Sequence, residues 1–70
     1  VHFEWVSPVD DHVRLELLNT MGVREAVIFE GNVSAGAHAI DWDATGLKDR
    51  IYLYRFVSSN KIQHGKLMRR

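Results

Sequence analysis

The residues with the means to do chemistry in this chain are its histidines, its aspartates and the serines Ser7 and Ser34. His2, His12, His38 and His64 are scattered, with no two at zinc-like local spacing and no cysteine to complete a ligand set. Surface and turn positions account for them more simply than a metal does. Asp10, Asp11, Asp41, Asp43 and Asp49 could supply calcium ligands or a carboxylate pair, but no D-x-D-x-D-G loop is present. Turn chemistry and solvated faces are the stronger reading of these aspartates. Ser7 and Ser34 lack a neighbouring base and the glycine pattern of a nucleophile elbow. Tyr52 with Tyr54, or either of Trp5 and Trp42, could stack on a ligand, yet alternate aromatics on one strand face usually fill a core. A chain of 70 residues also has little room for a pocket of ordinary ligand size. The expectation is a protein that is not an enzyme and holds no metal or cofactor.

The elements that must position these residues read as strands. Val1, Phe3 and Trp5 alternate with His2 and Glu4, and Val13, Leu15 and Leu17 alternate with Arg14 and Glu16. A proline and aspartates mark a turn between them, at residues 7–11. Asn19-Thr20-Met21-Gly22 fits a type I turn, with asparagine first and glycine fourth, where a positive φ is useful. Residues 23–30 form a returning strand, and Gly31-Asn32 and Ala35-Gly36 mark further turns. Residues 37–43 follow as a strand with Ile40 and Trp42 on one side. Residues 51–57 put Tyr52, Tyr54 and Phe56 on one face and Arg55 on the other. After a turn at Ser58-Ser59-Asn60 comes a last strand, residues 61–68. A helix over residues 13–30 is disfavoured by Gly22 in mid-segment and by the β-branched Val23, Val27 and Ile28. Six strands with turn signals at short intervals predict an all-β fold, a small antiparallel sandwich or barrel.

Composition narrows the partners. Nine basic residues balance nine acidic ones, where a nucleic-acid binder of this size would show a basic excess. A 46% hydrophobic content argues against disorder. No apolar run approaches the roughly 20 residues of a membrane helix. The absence of cysteine does not decide the compartment. Neither a signal peptide nor a methionine start is visible, so the chain is expected to be a single domain, residues 1–70, cut from something longer.

An ordered series of short motifs carries a family resemblance. Val13-Arg14-Leu15-Glu16-Leu17-Leu18-Asn19 with Met21-Gly22 resembles a strand followed by an "N-x-L-G" turn. Val33-Ser34-Ala35-Gly36 with His38 resembles "L-S-A-G-x-H". Trp42-Asp43-Ala44 with Gly46-Leu47 resembles "W-D-A-x-x-L". Ile51-Tyr52-Leu53-Tyr54-Arg55-Phe56 resembles "G-I-Y-F-Y-R-L", and Gly65-Lys66-Leu67-Met68-Arg69-Arg70 resembles a lysine, an apolar pair and a basic end. No one of these motifs is specific; their order and spacing together are. The series resembles the type A C-terminal sorting domain of the type IX secretion system of Bacteroidetes and its structural relative, the immunoglobulin-like domain of flagellar hook-capping proteins. Two departures stand out. Asp49-Arg50 occupies the place of the family's Ser-Gly, so the turn there must differ or hold a strained residue. The family's opening Pro-Asn-Pro-type segment, which supplies a seventh strand, is absent.

The resemblance implies an immunoglobulin-like sandwich of six to seven strands, lacking its first. It implies a non-catalytic sorting domain, covalently joined to an upstream cargo domain and exported through the periplasm to the cell surface. Its partners would be the outer-membrane secretion machinery and a sortase. Lys66, Arg69 and Arg70 would serve recognition; Gly22, Gly36, Trp42, Tyr52, Tyr54 and Gly65 would determine the fold. Tyr52, at the start of a strand after a loop, fits the tyrosine corner of such sandwiches. A basic terminus also has a plainer role, keeping an edge strand soluble. An open sheet edge leaves room for an edge-strand dimer. The alternatives are a structural spacer of the hook-capping kind and a carbohydrate-binding or adhesion module presenting Trp5.

Overall fold

The computed structural model describes residues 1–43 and 46–68, and the described residues form six strands and no helix. They are β1 (His2–Ser7), β2 (Asp11–Leu18), β3 (Arg24–Val33), β4 (Gly36–Asp41), β5 (Ile51–Val57) and β6 (Ile62–Met68). All pairings are antiparallel. One sheet has four strands in the order β3-β2-β5-β6, and the other pairs β1 with β4. The architecture is a six-stranded, two-sheet sandwich, as the spacing of turn signals predicts.

Period-two alternation decides which side chains lie between the sheets. On β2, Val13, Leu15 and Leu17 are buried; they pair in register with Gly31, Phe29 and Ala26 on one side, and Leu15 and Leu17 with Phe56 and Tyr54 on the other. The smaller sheet contributes Phe3 and Trp5. Phe3 meets the Tyr54 ring edge-on at 5.7 Å, and Trp5 lies 6.0 Å from Phe29 and 5.5 Å from Phe56. These contacts close the sandwich across its two layers.

Local chemistry sets the corners. Asn19 and Gly22 close the first hairpin: the Gly22 N–H donates to the Asn19 carbonyl at 3.0 Å, with Gly22 at φ +84°. The Asn19 Oδ1 also accepts from the N–H groups of Met21 and Val23, at 2.9 and 3.0 Å. At the crossing from β3 to β4, the Ala35 N–H donates to Asp10 Oδ1 at 2.8 Å, tying this crossing to the one after β1. Gly36 there has φ +125°, a conformation costly for any residue with a Cβ.

Two expected boundaries move. Gly31 and Asn32 do not turn the chain but lie inside β3, opposite Val13 and His12. Two register shifts, between Leu15 and Glu16 and between Leu17 and Leu18, place bulges in that hairpin. The bulges bend the ladder and bring Ile28 into the core. Trp42 falls just beyond β4, where its N–H donates to the Val1 carbonyl at 2.7 Å and its side chain packs against the core.

Candidate functional site

The residues picked out for the fold sit at junctions. Tyr52 is 4% exposed, and its hydroxyl accepts the Asp49 N–H at 3.2 Å. This bond to backbone three residues upstream holds the loop entering β5. The Asp49-Arg50 pair needs no unusual backbone here. Among the described residues no non-glycine has a positive φ, and the left-handed residue of the loop is Gly46, at φ +92°. Neither Asp49 nor Arg50 is therefore strained. Tyr54 pairs with Gly65 across β5 and β6, and its ring lies over the Gly65 α-carbon, where a Cβ would overlap the ring.

The histidines do not gather into one cluster; each has its own partners. His2 bonds Asp41 and Glu4, His12 bonds Asn32 and Glu30, and His38 bonds the Ser34 carbonyl at 2.6 Å. His64 faces Arg55 across β5 and β6. Asp41 and Glu4 raise the His2 imidazole above its ordinary value. Burial opposes ionisation of Asp11, but bonds from the His12 N–H and from Ser59 outweigh it and hold the carboxyl below its usual range. No group of three or more potential metal ligands occurs among the described residues. Trp5 is half-buried, with one face stacked on His38 at 5.5 Å.

Of the three residues assigned to recognition, Lys66 lies inside β6 opposite Leu53, exposed on the face of the large sheet that points away from β1 and β4. Arg69 and Arg70 lie outside the described residues.

The most unusual feature of that outer face is Glu16, a carboxylate 1% exposed at the centre of the sheet. Arg55 donates its Nε–H to Oε1 at 2.7 Å, and Arg24 donates an η N–H to Oε2 at 3.2 Å. The Arg14 Nε lies 3.4 Å from Oε2 as a charge contact without hydrogen-bond geometry. The strand pattern places all of these together: Arg14 and Glu16 alternate along β2, Arg55 is the register partner of Glu16, and Arg24 that of Leu18. The bond from Arg55 holds the Glu16 carboxyl below the usual carboxylate range; burial works against this, and Arg24 and Arg14 reinforce it.

Alternation on β2 identified Arg14 and Glu16 as a polar face but missed this burial. The available signal was the Leu17-Leu18 doublet, which breaks the alternation; Leu18, at 5% exposed, lies on the same face as Glu16. The three arginines come from three strands, and only the register unites them.

Glu16 sets an acid limit on stability. A carboxylate with a lowered folded pKa stabilises the fold above its unfolded value of 4.5, and loses that contribution as pH falls through the folded value. Glu16→Gln is expected to cost about 1–3 kcal/mol at pH 7, the range for bonds to charged groups, since the arginines are partly solvated. The cost should shrink toward zero well below about pH 4.5, where the wild-type side chain is itself neutral. Asp11 titrates with the same sign, so the difference between wild type and variant isolates Glu16. His2 acts oppositely, stabilising below its unfolded value of 6.5 and losing effect as pH rises. Urea unfolding of both proteins across this range checks it; a difference independent of pH would contradict the assignment.

Compared with family models, with curated proteins and with solved structures, the chain gives no match.

Proposed function

We propose that this chain is a non-catalytic C-terminal sorting domain that directs a larger exported protein across the outer membrane to the cell surface. The observation that carries the reading is the ordered motif series from Val13 to Arg70. Its described members supply the pieces a recognised domain needs. Asn19 and Gly22 close a hairpin, Gly36 starts β4, Tyr52 ties down a loop, and Gly65 seats the Tyr54 ring. The secretion machinery would read the folded domain, and a sortase would then separate it from its cargo. Lys66, Arg69 and Arg70 would be contacted directly.

Removing residues 66–70 is a poor test of that contact, because Leu67 and Met68 pair with Tyr52 and Ile51 in β6. The better variant keeps the strand and replaces Lys66, Arg69 and Arg70 together by glutamine. The domain is fused to a reporter with an export signal, in a host with this secretion system. The variant should leave the fold intact and abolish surface delivery. Normal delivery of the variant would refute the recognition role and favour a structural spacer.

A further inference from the structure

We propose that the outer face of the four-stranded sheet is a docking platform for an acidic protein partner, seated on Arg14, Arg24 and Arg55 around Glu16 and on Lys66. The proposal stands whether the chain is a sorting signal or a spacer.

The charge on this face is uneven. Three guanidinium groups share the single Glu16 carboxylate. Lys66 adds a fourth cation, paired with Leu53 next along β5 from Arg55. The other acid among the described residues of this face is Glu30, at the register position of Arg14, where it also contacts His12 at 3.5 Å. The face therefore carries an excess of positive charge, although the whole chain is neutral. The balancing acids include Glu4 and Asp41 on the outer side of the β1–β4 sheet.

The arginines are also arranged. A guanidinium has five N–H donors, and the contacts to Glu16 engage one nitrogen of each. With side-chain exposures of 38%, 56% and 36%, Arg14, Arg24 and Arg55 keep part of their surface in solvent. Glu16 fixes their positions beforehand, which reduces the ordering cost of binding a second carboxylate. Planar forks of this kind match carboxylates bidentately.

The surroundings favour a macromolecule over a free small anion, and a protein over a membrane. Val27, Ile62 and Met68 lie on the same face, 40%, 61% and 67% exposed, flanking the charges with apolar contact area. Recognition of an anionic bilayer typically draws on clusters of about 4–8 unpaired Lys or Arg. Among the described residues of this face, three of the four Lys and Arg side chains are already tethered to one carboxylate. Apolar anchors around fixed arginines are the composition of a protein interface.

The test uses the 70-residue chain and a synthetic peptide of alternating glutamate and valine, with an alternating lysine–valine peptide as control. Amide shift changes should map to β2, β5 and β6 with the acidic peptide only. Binding should weaken when salt is raised from about 0.05 to 0.3 M. Arg24→Gln with Lys66→Gln should weaken it roughly five- to tenfold, while Lys48→Gln, off this face, should leave it unchanged. Arg24→Gln alone separates this platform from any role of the basic end. No binding of the acidic peptide, shifts mapping to β1 and β4, or a charge variant that binds like wild type would overturn the proposal. So would binding to phosphatidylglycerol vesicles in the absence of peptide binding.

Discussion

Leu17→Ala is expected to remove about 2–5 kcal/mol of stability, the range for truncating a buried leucine. Leu17 is 0% exposed on β2, a strand hydrogen-bonded on both sides by β3 and β5. A strand held on both edges cannot collapse into the void, and the register partner across β3 is only an alanine, Ala26. Its register partner on β5 is Tyr54, whose ring is already seated against Phe3 and Gly65. A domain of 70 residues yields roughly 4–10 kcal/mol in total at ordinary per-residue stability. The loss is thus a large fraction of the whole. Urea unfolding followed by tryptophan fluorescence should show a much lower midpoint with a similar slope. Leu17→Met, which conserves volume, should cost less than about 1.5 kcal/mol. An alanine variant as stable as the methionine one would mean that Leu17 is not the centre of the core.

The second large effect is Gly65→Val, expected to cost about 1–3 kcal/mol as an overpacking substitution. Its sign is what makes it informative, because valine in place of glycine in a strand ordinarily stabilises. Gly65 sits on β6 beneath the Tyr54 ring, and any Cβ there occupies the volume of the ring carbon and hydroxyl. The ring would have to swing away from Phe3, forfeiting an edge-on contact that is typically worth about 0.5–1.5 kcal/mol. A double-mutant cycle makes the cause explicit. With Tyr54→Leu in place, Gly65→Val should be nearly neutral or stabilising. Equal costs in both backgrounds would show that the glycine is required for another reason.

These two sites mark how far the sequence could be read. Leu17 was legible from period-two alternation, since its neighbours Val13 and Leu15 share its face. The strand count, the Asn19–Gly22 turn and β5 were legible for the same reason: each rests on local spacing or on a residue with a single strong conformational preference. Gly31-Asn32 misled because glycine and asparagine favour turns intrinsically, whereas here the partner strand overrides the preference and holds them in β3. The site was less legible than the fold. Lys66 could be named from a motif, but its place on a cationic face depends on β5 lying beside β2 and β6. Glu16 left only the Leu17-Leu18 doublet as a mark, because the arginines that meet it come from β2, β3 and β5. Registers between strands distant in sequence leave no local mark, and two bulges in the β2–β3 hairpin shift the register further.

If this folded chain serves as an address for export, it should carry a passive cargo to the cell surface. A reporter carrying an export signal is joined to residues 1–70 in a host with the secretion system, and surface reporter is measured by protease accessibility on intact cells. Leu17→Asp serves as the unfolded control. The expected result is surface reporter with the native domain and retention in the periplasm with the control. A native, folded domain whose reporter stays in the periplasm would contradict it.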